Sequence, residues 1–315
     1  MCNLNNTTFF DTVKTFQYIV HIPTFILGLI INSVALWILC FRLKKWTEST
    51  IYMTNLIFSD IFLLFSLPFK IHSYQMDGKW YPSPGFCEFV ESLYFVNTNG
   101  AILLITLISL DRYIAIKHPF LARTFRSPKK AIIACTVMWV CVWSASIPNY
   151  IQSDTKWPNK ICFSNFSDFW ERGIIPLCME TIFLIGAATV IFCSIQIIRT
   201  LQKVDEERED MNVRTSMNVI YSNLVTFILC FTPCHVAMLL YLLARKCYIA
   251  NDFLASLRVF LQISQCLATI NCCLDGMYYY LIIKQFWKSK VKSTEEVISN
   301  HINSTVPNGP DQISL

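Results

Sequence analysis

The sequence predicts an all-α membrane protein, a seven-transmembrane helix bundle with a short amphipathic eighth helix, and two features of its 315 residues carry that prediction. The first is composition: 54% of the residues are hydrophobic and 15% charged, with positive mean hydropathy, whereas a soluble domain carries about 25% charged residues. The second is where the charges fall. A spanning helix needs roughly 20 mostly apolar residues. No Asp, Glu, Lys or Arg occurs between Lys14 and Arg42, Glu91 and Asp111, Lys130 and Asp154, Glu180 and Arg199, or Arg214 and Arg245. Two more apolar stretches, Ile51 to Tyr74 and Phe253 to Ile283, are interrupted by only a few charges.

These stretches place spans at about 16–41, 51–75, 86–117, 130–151, 173–199, 217–244 and 253–283, all within one domain, 16–283. Residues 1–15 form the extracellular N-terminus. Residues 284–292, with Lys284, Phe286, Trp287 and Lys288, read as an amphipathic helix lying at the membrane interface. The polar remainder, 293–315, reads as a cytoplasmic tail. The charge run Asp205 to Asp210 in the third inner loop reads as a solvated helix extension.

The distribution of the +5 net charge points to a membrane rather than to nucleic acid. Basic residues mark cytoplasmic loops. With the amino terminus outside, most of the 26 Lys and Arg fall inside, from Arg42, Lys44 and Lys45 through Arg123, Arg126, Lys129 and Lys130 to the tail. The expected location is therefore the plasma membrane, multi-pass, with an extracellular N-terminus and a cytoplasmic C-terminus. The polar first 15 residues do not read as a cleavable signal peptide. Sequons at Asn5, Asn6 and Asn165 fall on the glycosylated side, whereas Asn303 belongs to the tail and stays bare.

Most of the 14 cysteines lie inside apolar spans and act as small hydrophobes. Four lie where bridges persist. Cys87 opens the third span and Cys162 follows the fourth, and these two are expected to pair; Cys2 and Cys247 are the second candidate pair.

Ionisable and strongly polar groups within a bilayer are functional hypotheses by default. Asn32, Asp60, Asn271 and Asp275 sit at mid-depth in the first, second and seventh spans. Gathered together they make either a hydrated packing node or a cation or proton site coupled to helix movement.

These residues arrive with other ordered marks: Asp111-Arg112-Tyr113 at the end of the third span, Trp139 in the fourth, Cys230-Phe231-Thr232-Pro233 in the sixth, and Asn271 through Asp275 with Tyr279 in the seventh. The set resembles the rhodopsin-like, or class A, G-protein-coupled receptors over about residues 16–288. The resemblance implies that Arg112 contacts a heterotrimeric G protein once the sixth helix swings outward, with Asp111 restraining it at rest, and that arrestin binds the tail. Pro233 would supply the hinge, because a helix-interior proline removes a backbone bond. The chain departs from the family pattern at Ile185 and Gly276, where prolines are usual, at Phe231, where tryptophan is usual, and at Val213, where some members carry an acid. Val213 offers Arg112 no acid with which to lock to the sixth helix. No cysteine follows Tyr279, so no palmitate anchor is expected.

A ligand is expected in an outer-facing cavity between the helices. Glu91, Tyr94, Phe95 and Thr98 share a face of the third span by their spacing, as do Phe231, His235 and Met238 in the sixth. Lys70 lies near the top of the second span, and Arg172, Glu180 and Arg258 surround the mouth. Tyr94 stands where similar amine receptors carry aspartate, which argues against a cationic amine. Lys70 and Arg258 suggest an anionic head group, although Lys70 could instead pair with Glu91. Ile51 to Asn55, Ser66 to Lys70, Val90 to Phe95 and Asn271 to Asp275 resemble the purinergic-like branch, in the group holding the lysophosphatidylinositol receptor and its kynurenate-responsive relative. That resemblance implies a lysophospholipid ligand and the Rho-activating class of G protein. A nucleotide or a small carboxylate is the competing ligand.

Outside the receptor class, Asp60 and Asp275 could serve a transporter's proton pathway. No HExxH, GxSxG or P-loop spacing occurs, and His21, His72, His118, His235 and His301 are scattered. Neither catalysis nor a cofactor nor a metal is expected.

Overall fold

The computed structural model describes residues 4–43, 46–75, 83–151, 174–208, 211–246 and 253–276. The chain is helical over nearly all of these residues: α1 (Leu4–Trp37) with a π-helical turn (Ile38–Leu43), α2 (Glu48–Gln75), α3 (Pro84–Lys117), a short α4 (Pro119–Phe125), α5 (Pro128–Ile151), α6 (Ile174–Arg208), α7 (Met211–Lys246) and α8 (253–276). Seven of them, all but α4, are long and apolar enough to cross a membrane.

Local chemistry sets where these helices begin. At α2, Thr47 and Thr50 cap each other: the Thr47 N–H donates to Thr50 Oγ1 at 2.8 Å and the Thr50 N–H to Thr47 Oγ1 at 3.4 Å, a reciprocal capping box. Ser127 Oγ accepts the Lys130 N–H at 3.3 Å ahead of Pro128 at the start of α5, the cap-then-proline order that suits an N-terminus. α3 stops at His118 because the residue before a proline avoids the helical region, and Pro119 then opens α4.

Three helices run past the expected spans. α1 begins at Leu4, well before residue 16, and α6 and α7 extend to Arg208 and from Met211. Hydropathy locates the part of a helix that lies in lipid, whereas a helix with no breaker continues into water. The expected eighth helix and tail, 284–315, lie outside the described residues, as do Tyr279, Arg172, Cys2, Cys162, Asn165 and Cys247, while Asn5 and Asn6 fall in the first turn of α1. Cys87 is buried and disulfide-bonded.

α3 is the central helix, packed against α2, α4, α5 and α6, while α1 packs on α2 and α7 on α6. Val96, Ile102, Leu104 and Ile105 of α3 are fully enclosed, in one cluster with Ile57 of α2 and Phe227 and Phe231 of α7. The outer faces remain apolar, as at Ile19, Ile133, Leu184 and Leu229. Lipid is as apolar as leucine, so association among these helices rests on close packing and interhelical hydrogen bonds.

Two glycines mark close packing of α6 and α8 on their neighbours. A Cβ on Gly186 would meet Thr106 Oγ1 at 3.0 Å and Ile102 Cγ2 at 3.1 Å, so α6 rests its backbone on α3, while Ile185 beside it points outward. A Cβ on Gly276 would drive into the Ile31 side chain of α1. Close helix contact thus falls beside Ile185 and at Gly276, the two positions where a proline was expected and is lacking.

Candidate functional site

Three polar groups are spaced along the bundle, one at the end that carries Lys70, one at mid-depth and one at the end that carries Arg112.

At the Lys70 end, the Lys70 side chain is only 5% exposed. Its Nζ lies 4.3 Å from the centre of the Tyr94 ring, and among the described residues no carboxylate comes within ion-pair distance of it. Pairing with Glu91 is therefore not the arrangement adopted. Glu91 is half-buried on α3, one turn before Phe95, which sits in the core. The Tyr94 hydroxyl donates to the Gln265 carbonyl of α8 at 3.2 Å, tying α3 to α8, and the Thr98 hydroxyl donates back to the Tyr94 carbonyl at 3.1 Å.

Across the bundle, Glu180 of α6 and His235 of α7 form a buried pair, with Nδ1 and Oε1 3.1 Å apart. The His235 ring stacks on Phe183 at 4.0 Å with the planes nearly parallel, and its Nε2 is buried without a partner. Glu180 thus faces His235 inside the bundle rather than the mouth. Phe231 and Met238, one turn to either side of His235, are buried beside it. Arg258 of α8 donates to the Tyr241 hydroxyl of α7 at 3.3 Å.

At mid-depth, the four expected residues are all buried. Asn32 donates to the carbonyls of Gly28 and Cys272, each at 3.0 Å, joining α1 to α8. Asn271 donates to Asp275 at 2.6 Å. Asn97 of α3, which the sequence reading passed over, donates to Asp60 at 3.4 Å and to Ser59 at 3.3 Å. One oxygen on each of Asp60, Asn32, Asn271 and Asn99 has no partner. Oxygens of this kind are the hard donors that alkali and alkaline-earth cations take, and two neighbouring acids can share a proton. Among the described residues no group of three or more His, Cys, Asp or Glu is placed to hold a metal.

At the Arg112 end, the expected restraint is replaced. Asp111 accepts two hydrogen bonds from Arg126, at 2.7 and 3.0 Å, and one from Ser49 of α2 at 2.9 Å. Arg126 also pairs with Glu48 at 3.3 Å. No hydrogen bond or ion pair joins Asp111 to Arg112 among the described residues. A guanidinium that meets a carboxylate side-on makes two parallel bonds, and Arg126, just past α4, is placed to do so. These bonds, with two carboxylates near, hold the Arg126 guanidinium above its usual range. Tyr113 turns to His118, with its oxygen 3.2 Å from Nε2. Pro233 lies within the continuous α7. α4 has no buried residue, and Phe120 is 83% exposed, with Leu121 and Phe125 also outward. Neither Arg126 nor Phe120 stood out in the sequence, the one because a loop arginine reads as a topology signal, the other because a lone apolar residue in a loop carries no period.

A seven-span helical bundle with a buried polar node and polar constellations at both ends defines a polytopic membrane receptor, and comparison with known proteins gives the class its family. Residues 31–292 match the family model of the 7 transmembrane receptors (rhodopsin family). The G-protein coupled receptor 55 of Mus musculus is 37% identical, over 88% of this chain and 90% of its own length. The lysophosphatidic acid receptor 4 of Homo sapiens is 35% identical, over 90% of this chain and 80% of its own, and the human G-protein coupled receptor 35 is 32% identical, over 90% and 89%. The chain belongs to the rhodopsin family of seven-transmembrane receptors, in its purinergic-like branch. Members of this family are receptors and not enzymes.

Proposed function

We propose that the chain is a plasma-membrane receptor for an anionic, lipid-tailed ligand of the lysophosphatidylinositol type, and that it passes the signal to a heterotrimeric G protein of the Rho-activating class. The observation that carries the reading is Lys70: a buried ammonium without a counter-ion among the described residues. An unpaired buried charge is expensive, and an anionic ligand supplies the missing partner. Phe95, Phe231 and Met238 give the apolar wall for the acyl chain, with Glu91, Tyr94, Thr98, Glu180, His235, Arg172 and Arg258 around it. Relatives named for lysophosphatidic acid support a lysolipid over a nucleotide or a small carboxylate.

In this reading the amino terminus is outside, Cys87 bridges to Cys162 and Cys2 to Cys247, and Asn5, Asn6 and Asn165 carry glycans. Arg112, Tyr113 and the exposed side of α4 meet the G protein, Pro233, Asp275 and Tyr279 take part in the switch, and the tail meets arrestin. The mid-depth node binds a cation or shares a proton in the resting state.

The test is Lys70→Ala in membranes supplied with purified G protein, read as GTP loading against lysophosphatidylinositol. The response is expected to vanish at unchanged surface expression. An unaltered dose response would remove the reading.

A further inference from the structure

A ring of polar and aromatic residues from α1, α2, α3 and α8 lies at the Lys70 end. Lys70 and Tyr74 are four residues apart on α2 and so share a face. Tyr74 stacks on His21 of α1, with ring centres 6.2 Å apart. His21 Nε2 is 3.7 Å from the Cys266 sulfur of α8. The neighbouring Gln265 carbonyl accepts the Tyr94 hydroxyl, and Tyr94 lies beneath Lys70 Nζ. His21 is 0% exposed. Two polar atoms of this ring, His21 Nδ1 and the Tyr74 hydroxyl, are buried with no hydrogen-bond partner. Buried polar groups are nearly always satisfied, and two such orphans beside one unpaired ammonium call for a common acceptor. Nothing in the sequence marked either residue.

We infer that this ring is the head-group subsite of the receptor, built for a singly charged oxyanion, and that His21 and Tyr74 set its specificity; the inference rests on the anionic-lipid reading above. Lys70 supplies the charge, since it is the one member of the ring that is ordinarily a cation at neutral pH. Tyr74 O–H donates to one oxygen of the anion. Bound anion selects the His21 tautomer with hydrogen on Nδ1, leaving the unprotonated Nε2 facing the Cys266 sulfur. The subsite thus offers three donors to one group, with a single positive charge among them. A phosphodiester carries one negative charge, whereas a phosphomonoester carries about 1.5 to 2 at pH 7. The monoester would bring into a desolvated site a surplus charge that this ring does not balance. The phosphodiester of a lysolipid head group is thus preferred over the phosphomonoester of lysophosphatidic acid. The neutral donors also explain why a lone lysine suffices.

The experiment uses the full chain in membranes with purified G protein and three probes: lysophosphatidylinositol, lysophosphatidic acid of the same acyl chain, and inorganic phosphate. Wild type should respond to lysophosphatidylinositol at concentrations at least about tenfold lower than to lysophosphatidic acid, and millimolar phosphate should not compete. Tyr74→Phe and His21→Phe should each raise the half-maximal lysophosphatidylinositol concentration about tenfold or more, the loss of one hydrogen bond to a charged group. Because the Tyr74 hydroxyl is unpaired in the free receptor, Tyr74→Phe should leave the thermal midpoint of the unliganded protein unchanged or raised, an outcome that a merely structural role would reverse. Unchanged potency in Tyr74→Phe, with Lys70→Ala inactive, would overturn the subsite and leave the ligand reading standing. A Lys70→Ala receptor that still responds would overturn the ligand reading itself. Equal or better activation by lysophosphatidic acid would overturn the charge preference, and competition by phosphate the lipid source.

Discussion

Arg126 holds Asp111 through two hydrogen bonds, at 2.7 and 3.0 Å, and so takes the acid away from the arginine next to it in sequence. Arg112 is thereby left without its expected partner, while Glu48 and Ser49 of α2 close the cluster from the other side. Removing Arg126 frees the carboxylate for Arg112. Arg126→Ala is expected to lower unliganded GTP loading several-fold by stabilising the resting arrangement, and to lower thermal stability by about 1–2 kcal/mol through the lost charged hydrogen bonds. A rise in basal loading would show that Asp111 does not pass to Arg112.

The Glu180–His235 pair joins α6 to α7 inside the bundle. Deleting one partner leaves the other buried and unpaired, which costs about 3–5 kcal/mol. His235→Ala should therefore lower the melting temperature of the purified receptor more than Glu180→Gln, which keeps a neutral hydrogen-bonding group. The two together should cost less than their sum, because they remove a shared interaction. Strict additivity in a double-mutant cycle would contradict the pairing.

Gly276 seats α8 against Ile31 of α1, and even one methyl group there collides with a β-branched side chain that has little rotamer freedom. Gly276→Ala is expected to destabilise by about 1–3 kcal/mol, the range for overpacking. Gly85, whose Cβ would meet nothing, gives the control: Gly85→Ala should change the melting temperature by less than a degree or two, about 0.5 kcal/mol.

Phe120 presents an apolar ring to solvent at the Arg112 end. Phe120→Ala should leave thermal stability within about 0.5 kcal/mol, since the side chain is 83% exposed, and yet reduce ligand-stimulated GTP loading if α4 meets the G protein. Unreduced loading at matched expression would take Phe120 out of that surface.

The architecture was legible because lipid imposes its signature on composition: charge-free gaps of the right length mark the spans without reference to any contact. The mid-depth residues Asn32, Asp60, Asn271 and Asp275 were legible for the same reason, each being a polar exception in an apolar run. Partnerships were not. Whether Asp111 meets Arg112 or Arg126, or Lys70 meets Glu91 or the Tyr94 ring, depends on how each helix is rotated about its axis. A helix that is apolar all round carries little record of which face looks inward. Asn97, His21 and Tyr74 were overlooked on that account, because single polar residues in a span gain meaning only when a neighbouring helix supplies or withholds a partner.

The indole of Trp139 donates to Asn55 at 2.8 Å, and Phe62 meets the rings of both Trp139 and Trp143 edge-on. With Asn97 on Ser59 and Asp111 on Ser49, these contacts stitch α2, α3 and α5 into a bedplate cross-braced at several depths. Mechanical work done on such a frame deforms it little. Travel is left to the elements bolted to it at fewer points, and the receptor divides into a stator that keeps the signal's coordinates and a lever that reports them.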